Sequence, residues 1–206
     1  MKLYMAATFL LVLSIAGCGQ EMPPASSAPA VPPAQAVSTH EISPDSLTLS
    51  GQALAAYNGG DYEQAVALSD AALSKDPDNY KALSTKGIAL AFHGSPDEGA
   101  ATIGKALALK PDYVQGFYDM AIAQKLGKHY DASISYFQKV LAADPKNTWS
   151  YYSIATNYAD KRDKAQALSY LRKAAALDPA AVKPEARTQD HFQWLHGDSD
   201  FEALVK

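Results

Sequence analysis

The sequence predicts an all-α protein, a solenoid of four helix-turn-helix repeats followed by capping helices, and three observations point to it. Pro77, Pro111, Pro145 and Pro179 are each separated by 34 residues. Small residues recur twelve residues before each proline, and again twenty-four before: Ala65, Gly99, Ser133 and Ala167; Ala53, Gly87, Ala121 and Ala155. Large apolar residues stand between them, among them Leu83, Phe117, Tyr151, Ile103, Phe137 and Leu171. A period of this length is typical of stacked helical hairpins.

The first 17 residues predict a signal peptide. Lys2 precedes an apolar run of about 13 residues, shorter than the ~20 that a membrane-spanning helix needs. The sequence Ile15-Ala16-Gly17-Cys18 resembles the lipobox of bacterial lipoproteins, which implies cleavage before Cys18 and attachment of fatty acyl chains such as palmitate to that cysteine. The residue after it is Gly19 rather than Asp, which by the same resemblance implies the outer membrane, facing the periplasm. The alternative is an ordinary signal peptide that contains a cysteine.

Residues 18–43 form a predicted linker. Five prolines lie among alanine, serine and glutamine, and the only acidic or basic residues besides His40 are Glu21 and Glu41. Such a segment has too few bulky apolar residues to form a core. As a polyproline helix of ~3.1 Å per residue it would reach on the order of 75 Å from the membrane.

The four repeats are predicted within residues 44–181, at 46–79, 80–113, 114–147 and 148–181. Small side chains at the eighth and twentieth positions of each repeat let its two helices approach closely. The proline near the end of each repeat terminates the second helix, because the proline ring cannot continue the backbone hydrogen bonds. Gly59-Gly60, Gly94-Ser95-Pro96 and Gly127 are predicted to form turns between paired helices.

These positions resemble the tetratricopeptide repeat, which implies a right-handed superhelix with a concave groove lined by the first helix of each repeat. The groove residues implied by the resemblance are mostly apolar and aromatic, the types that anchor interfaces. They are Tyr57, Ile88, Phe92, Tyr118, Ile122, Leu126, Trp149 and Tyr152.

A subgroup of the family holds the carboxylate at the end of a peptide with lysine, asparagine and arginine. The corresponding positions here are Ser50, Leu54, Thr85, Gln115 and Asp119, so this clamp is missing. A chaperone C-terminal tail is therefore not the expected ligand.

Residues 182–206 break the period but carry Phe192, Trp194, Leu195 and Phe201. We predict a helix from about Pro184 to His196 and a short one after Gly197, together covering the exposed end of the fourth repeat.

The composition excludes several functions. A formal net charge of −4 without a basic cluster argues against nucleic-acid binding, and a single cysteine excludes an internal disulfide or a cysteine zinc site. No sequence motif for catalysis, metal or cofactor binding is present. The expected function is that of a non-enzymatic lipoprotein scaffold in the cell envelope, which binds another envelope protein in its groove.

Three alternatives remain open at this point. The protein could be a cell-wall- or protease-associated factor with a weak enzymatic or glycan-binding site in the tail, around His191 and Asp198. It could self-associate by stacking its repeats end to end. The groove could also be filled by the chain's own linker or tail.

Overall fold

A computed structural model describes residues 40–206, and the predicted signal peptide, Cys18 and most of the linker lie outside the described residues. The described part is all-helical, which confirms the predicted fold class. Its helices are α1 Pro44–Asn58, α2 Tyr62–Lys75, α3 Tyr80–Phe92, α4 Pro96–Leu109, α5 Val114–Leu126, α6 Tyr130–Ala143, α7 Thr148–Asp160, α8 Lys164–Leu177, α9 Pro179–Thr188, a 3₁₀ helix Asp190–Leu195, and α10 Ser199–Val205.

The helices α1 to α8 pack as four consecutive pairs, and each pair packs against the next. The small residues of the repeat lie at the contacts between helices and are almost completely buried. They include Ala53, Ala65, Ala121, Ser133, Ala155 and Ala167, each 0% exposed. The Ser133 hydroxyl donates a hydrogen bond of 2.7 Å to the carbonyl oxygen of Ala121, so it is satisfied inside this contact. Side-chain volume at these positions therefore sets the distance between paired helices.

The pair α3/α4 has glycine on both sides of its contact. A Cβ atom added at Gly87 would lie 2.6 Å from the Gly99 carbonyl oxygen and 2.5 Å from Ile103 Cγ1. Only glycine fits at this separation, so α3 and α4 approach unusually closely.

The first two repeats are joined by a buried polar junction. Asn79 caps α3 by accepting hydrogen bonds from the backbone amides of Lys81 and Ala82. Its amide nitrogen also donates to Ser46 Oγ over 2.8 Å, and Ser46 in turn donates to the carbonyl oxygen of Ala72. One asparagine thus links α1, the end of α2 and the start of α3.

The chain enters the fold at the same junction. Asp76 accepts hydrogen bonds from the backbone amide of Ser43 and from His40 Nε2, both at 2.9 Å. Burial alone would raise the pKa of Asp76, but these hydrogen bonds and that from the Asp78 amide lower it overall. The last residues of the predicted linker are therefore fixed to the end of α2.

The odd-numbered helices form the inner layer of the solenoid. Helix α1 contacts α3, α3 contacts α5, and Lys125 of α5 donates a hydrogen bond to Thr156 of α7, whereas within residues 40–206 α2, α4, α6 and α8 make no comparable contacts with one another. Close packing on one side only bends the stack, so α1, α3, α5 and α7 lie on the concave face.

The structure corrects the prediction for the C-terminal cap. Helix α9 begins at Pro179 rather than near Pro184, and Pro184 lies inside it. Asp178 ends α8 and its side chain accepts the backbone amide hydrogen of Ala181, so it also caps α9. Proline is well suited to the first turn of a helix, and Pro179 starts a helix immediately after one has ended.

Candidate peptide-binding face

The concave face has two parts with different surroundings. The first, here called the open half, is formed by α1, α3 and the start of α5 and encloses a cavity of about 450 Å³. Leu47 and Leu54 of α1 line it with 44% and 47% of their surface exposed, and Ile88 is buried among the residues lining it. Exposed apolar side chains around a cavity are typical of a surface that binds another molecule.

A buried carboxylate lies in the open half. Asp119 of α5 is 7% exposed, and its two oxygens accept hydrogen bonds from Ser84 Oγ at 2.6 Å and Gln115 Nε2 at 2.7 Å. Burial raises the pKa of Asp119 to about 6, although the two hydrogen bonds act in the opposite direction. At neutral pH the cavity therefore contains a negative charge that is hydrogen-bonded only to neutral groups.

Three tyrosines surround this carboxylate closely enough to feel its charge. Burial, and then the Asp119 charge, raises the pKa of Tyr57, Tyr113 and Tyr118 above the ordinary range. Tyr57 and Tyr113 line the same cavity as Asp119. The cavity is thus aromatic, apolar and acidic at once.

An aromatic cluster continues the open half toward the turns. The ring of Phe92 stacks on Tyr62 with centroids 5.2 Å apart and lies 5.8 Å from Tyr57. Phe92 remains 40% exposed, so the cluster extends the apolar surface that begins at Leu47.

The second part, here called the covered half, lies on α7 and is occupied by the chain itself. The 3₁₀ helix packs against α7, and fully buried Phe192 lies with its ring 5.9 Å from that of Tyr152. Phe192 also contacts Phe201 of α10, with centroids 5.9 Å apart. The possibility that the tail fills the groove is therefore realised over this half of the face.

A polar network holds the 3₁₀ helix in place. His191 Nδ1 donates to Asp160 Oδ1 over 2.7 Å, and the Lys125 ammonium lies 3.4 Å from His191 Nε2. Lys125 also donates to Thr156 Oγ1 over 2.5 Å. These contacts suit the neutral histidine tautomer with its proton on Nδ1. Burial lowers the pKa of Lys125 to about 8, opposed by the nearby Asp160.

The predicted groove residues are distributed over both halves. Tyr57, Ile88 and Phe92 belong to the open half, while Tyr118 lies edge-on to Phe137, with centroids 5.5 Å apart, and is half-buried. Ile122 is also half-buried, and Leu126 and Trp149 are 41% and 45% exposed. Tyr152 is 7% exposed beneath Phe192, so its assignment to a surface open to a partner has to be corrected.

The alternative site around His191 and Asp198 is accounted for by structural roles. His191 belongs to the network just described. Asp198 caps α10 by accepting the amide hydrogens of Asp200 and Phe201, and it forms an ion pair with Lys164.

Within residues 40–206, no group of three or more histidine and carboxylate side chains could hold a metal ion. Nor is any helix of that range long and apolar enough to cross a bilayer.

Sequence reasoning did not single out Asp119 or Lys125 as functional. Each is a charged residue within a largely apolar helix, Asp119 between Tyr118 and Met120 and Lys125 before Leu126. A charge that interrupts an apolar helical stripe is the signal that could have revealed both.

Profiles of the tetratricopeptide repeat family match residues 50–114, 85–148 and 150–180, which together span more than half of the chain. No curated protein matches it. The fold is similar to solved structures of MamA residues 41 to the end from Desulfovibrio magneticus RS-1 (19% identity, TM-score 0.64, covering 80% of this chain and 92% of that one). It is also similar to a thermophilic repeat protein of Thermus thermophilus (16% identity, TM-score 0.64, covering 77% of this chain and 87% of that one). A third similar structure is that of Pseudomonas aeruginosa PilF (17% identity, TM-score 0.63, covering 77% of this chain and 72% of that one).

Proposed function

This chain belongs to the tetratricopeptide repeat family, and from that premise we propose that it is a protein-interaction scaffold that binds a segment of a partner protein in its open half. The observation that carries the proposal is the contrast within one concave face. Leu47 and Leu54 remain exposed around a cavity, whereas on α7 Tyr152 is buried against Phe192 of the tail. A face that the chain covers only in part has room for a partner on the remainder.

Photocrosslinking in cells tests the binding proposal. A photoreactive phenylalanine at Leu54 should crosslink to a discrete partner protein, since this side chain borders the cavity. The matched control carries the same group at Gln138, an exposed residue of α6 in the outer layer. Equal crosslinking at both positions, or none at Leu54, would contradict the proposal.

We further propose that the scaffold is a lipoprotein of the cell envelope, anchored through Cys18 to the outer membrane and facing the periplasm. This part is supported by the sequence Ile15-Ala16-Gly17-Cys18 and by the proline-rich segment after it. Two acyl chains or more give stable membrane anchoring, because each buried CH₂ group contributes ~0.8 kcal/mol.

Two substitutions test the anchor. Cys18→Ser should abolish incorporation of a labelled fatty acid and move the protein out of the membrane fraction or leave it unprocessed. Gly19→Asp should keep the lipid but shift the protein from outer to inner membrane on a density gradient. Unchanged lipid labelling of the serine variant would disprove the anchor, and an unchanged gradient position of the aspartate variant would disprove the assignment to the outer membrane.

The scaffold is proposed to act without catalysis of its own. The groups that could have formed a reactive site in the tail are engaged in holding the 3₁₀ helix and α10, as the contacts of His191 and Asp198 illustrate. Its effect in the envelope would then come from bringing proteins together.

A further inference from the structure

Asp119 carries a charge without a counter-ion. Its hydrogen-bond donors, Ser84 and Gln115, are both neutral, and within residues 40–206 no lysine, arginine or histidine lies within 4.0 Å of its oxygens. A buried carboxylate in this situation is costly unless a cation neutralises it. Asp119 is also one of the residues that line the cavity, so a cation that enters the cavity comes next to this residue.

The rest of the cavity suits the side chain that would carry such a cation. Leu47 and Leu54 offer exposed apolar surface for an alkyl stem, and Tyr57 and Tyr113 line the same cavity. Lysine and arginine bury their stems on apolar surface, and their cationic groups are attracted to the faces of aromatic rings.

In the covered half the chain itself places a cation near a carboxylate. There the carboxylate of Asp160 is hydrogen-bonded by His191, and the ammonium of Lys125 lies beside that histidine. In the open half Lys81 also lines the cavity, but within residues 40–206 no basic side chain forms an ion pair with Asp119.

We propose that the open half recognises a segment of a separate protein that inserts one lysine or arginine side chain, with its stem against Leu47 and Leu54 and its cationic group at Asp119. This inference rests on the proposed function, because it names the chemistry of the partner that the scaffold binds.

The chain's own segments are poorer occupants. Residues 19–39 contain no lysine or arginine, so the linker cannot supply the cation. Lys81 lines the mouth of the cavity, but it is exposed to solvent and does not pair with Asp119. Its positive charge at the mouth disfavours a run of basic residues, so the recognised segment carries a single one among apolar neighbours.

Peptide pools test this inference on the full chain in detergent. The probes are acetylated and amidated nonapeptides whose central residue is Lys, Arg, Gln or norleucine, with the flanking residues randomised among Ala, Leu, Ser and Pro. Fluorescence anisotropy should show the Lys and Arg pools binding at least tenfold more tightly than the other two. Asp119→Asn should remove this preference, while the matched variant Asp160→Asn in the covered half should retain it.

A second measurement does not depend on the folding of any variant. The preference of the wild-type chain for the Lys pool should fall as the pH is lowered from 7.5 to 5, because protonation removes the negative charge of Asp119. Circular dichroism at both pH values shows that the protein remains folded.

Other outcomes would overturn the inference. Equal binding of all pools, or a preference that survives Asp119→Asn, removes the cation from the recognition while leaving the scaffold function intact. Absence of binding by every pool, together with no crosslink at Leu54, would contradict both this inference and the proposed scaffold function. Dimers in sedimentation that dissociate in Asp119→Asn would assign the cavity to a second copy of the chain instead.

Discussion

The two halves of the concave face are built from the same repeat but are completed differently. In the open half Leu47 and Leu54 are exposed and Asp119 has no counter-ion, whereas in the covered half Phe192 lies over Tyr152 and Lys125 is beside the Asp160–His191 pair. In each half a carboxylate lies at the concave surface. In the covered half the described chain provides a partner for the carboxylate, and in the open half we propose that another molecule does so.

This difference shows how a repeat protein can restrict its binding surface without changing the repeat. The tail folds back over the last repeat and covers part of α7, including Tyr152, while Trp149 stays exposed. Terminal caps are usually explained by solubility, since the outer face of an end repeat would otherwise be exposed. Here the cap also decides which end of the face remains free.

The largest effect should come from truncating an apolar side chain in the covered half. Phe192→Ala should lower the free energy of unfolding by about 4 kcal/mol, since a fully buried phenylalanine loses its transfer energy and leaves a cavity. Leu54→Ala is the matched change in the open half and should cost under about 1 kcal/mol, because its side chain is 47% exposed. Urea denaturation measures both. Similar losses of unfolding free energy for the two variants would mean that the tail does not cover one half more than the other.

A smaller effect on stability tests the close contact between α4 and α3, the second helix of the open half. Gly87→Ala should destabilise the protein by about 2 kcal/mol, because the added Cβ would lie 2.6 Å from the Gly99 carbonyl oxygen and force α3 from α4. Gly104→Ala on α4 is the control, since its Cβ would meet only Met120 Cε at 3.9 Å. That variant should gain roughly 0.5–1 kcal/mol from helix propensity. Thermal unfolding gives both values, and the same sign for the two would refute the close approach.

The smallest effect concerns the pH dependence of stability. Because the pKa of Asp119 is raised in the folded state to about 6, folding favours its protonated form. The stabilisation that Asp119 provides is fully present below its pKa in the unfolded chain and is lost as the pH rises through 6. The contribution of this group to the free energy of unfolding should therefore be about 1 kcal/mol higher at pH 5 than at pH 7.5.

The difference between wild type and Asp119→Asn isolates this contribution from all other titrating groups. Urea denaturation at both pH values should show that the free energy of unfolding of the asparagine variant rises relative to that of wild type at pH 7.5. In the covered half, Asp160→Asn should instead lose stability at pH 7.5, because it leaves His191 and Lys125 without their carboxylate. A gain of stability in both variants would remove the distinction between the two carboxylates.

The repeats could be predicted from the sequence because the residues that determine them recur with a fixed period. Ala121 and Ala155 are small for the same physical reason, the close approach of paired helices, so one pattern revealed both. The tail lacks a period, and its course depends on Asp178 acting as the cap of two helices and on the place available for Phe192. Such information is not present in local sequence.

The candidate site was predicted only in part. The resemblance gave the apolar residues of the first helices, and Tyr57 and Phe92 do lie in the open half. Tyr152 was misplaced because the position in the repeat does not reveal what the tail covers. The repeat placed Asp119 only at a position of the missing clamp, and its burial was not predicted because it depends on contacts with another helix, such as the hydrogen bond from Ser84.

The junction at Asp76 has a mechanical consequence. His40 and Ser43 bind the end of α2, and Asn79 and Ser46 join α1 to α3 at the same place. A pulling force that reaches the fold through the residues before His40 is therefore shared among three helices, instead of peeling α1 away from its free end. Two of these three helices, α1 and α3, also line the open half, so tension on the chain and a ligand in the cavity would act on the same two helices.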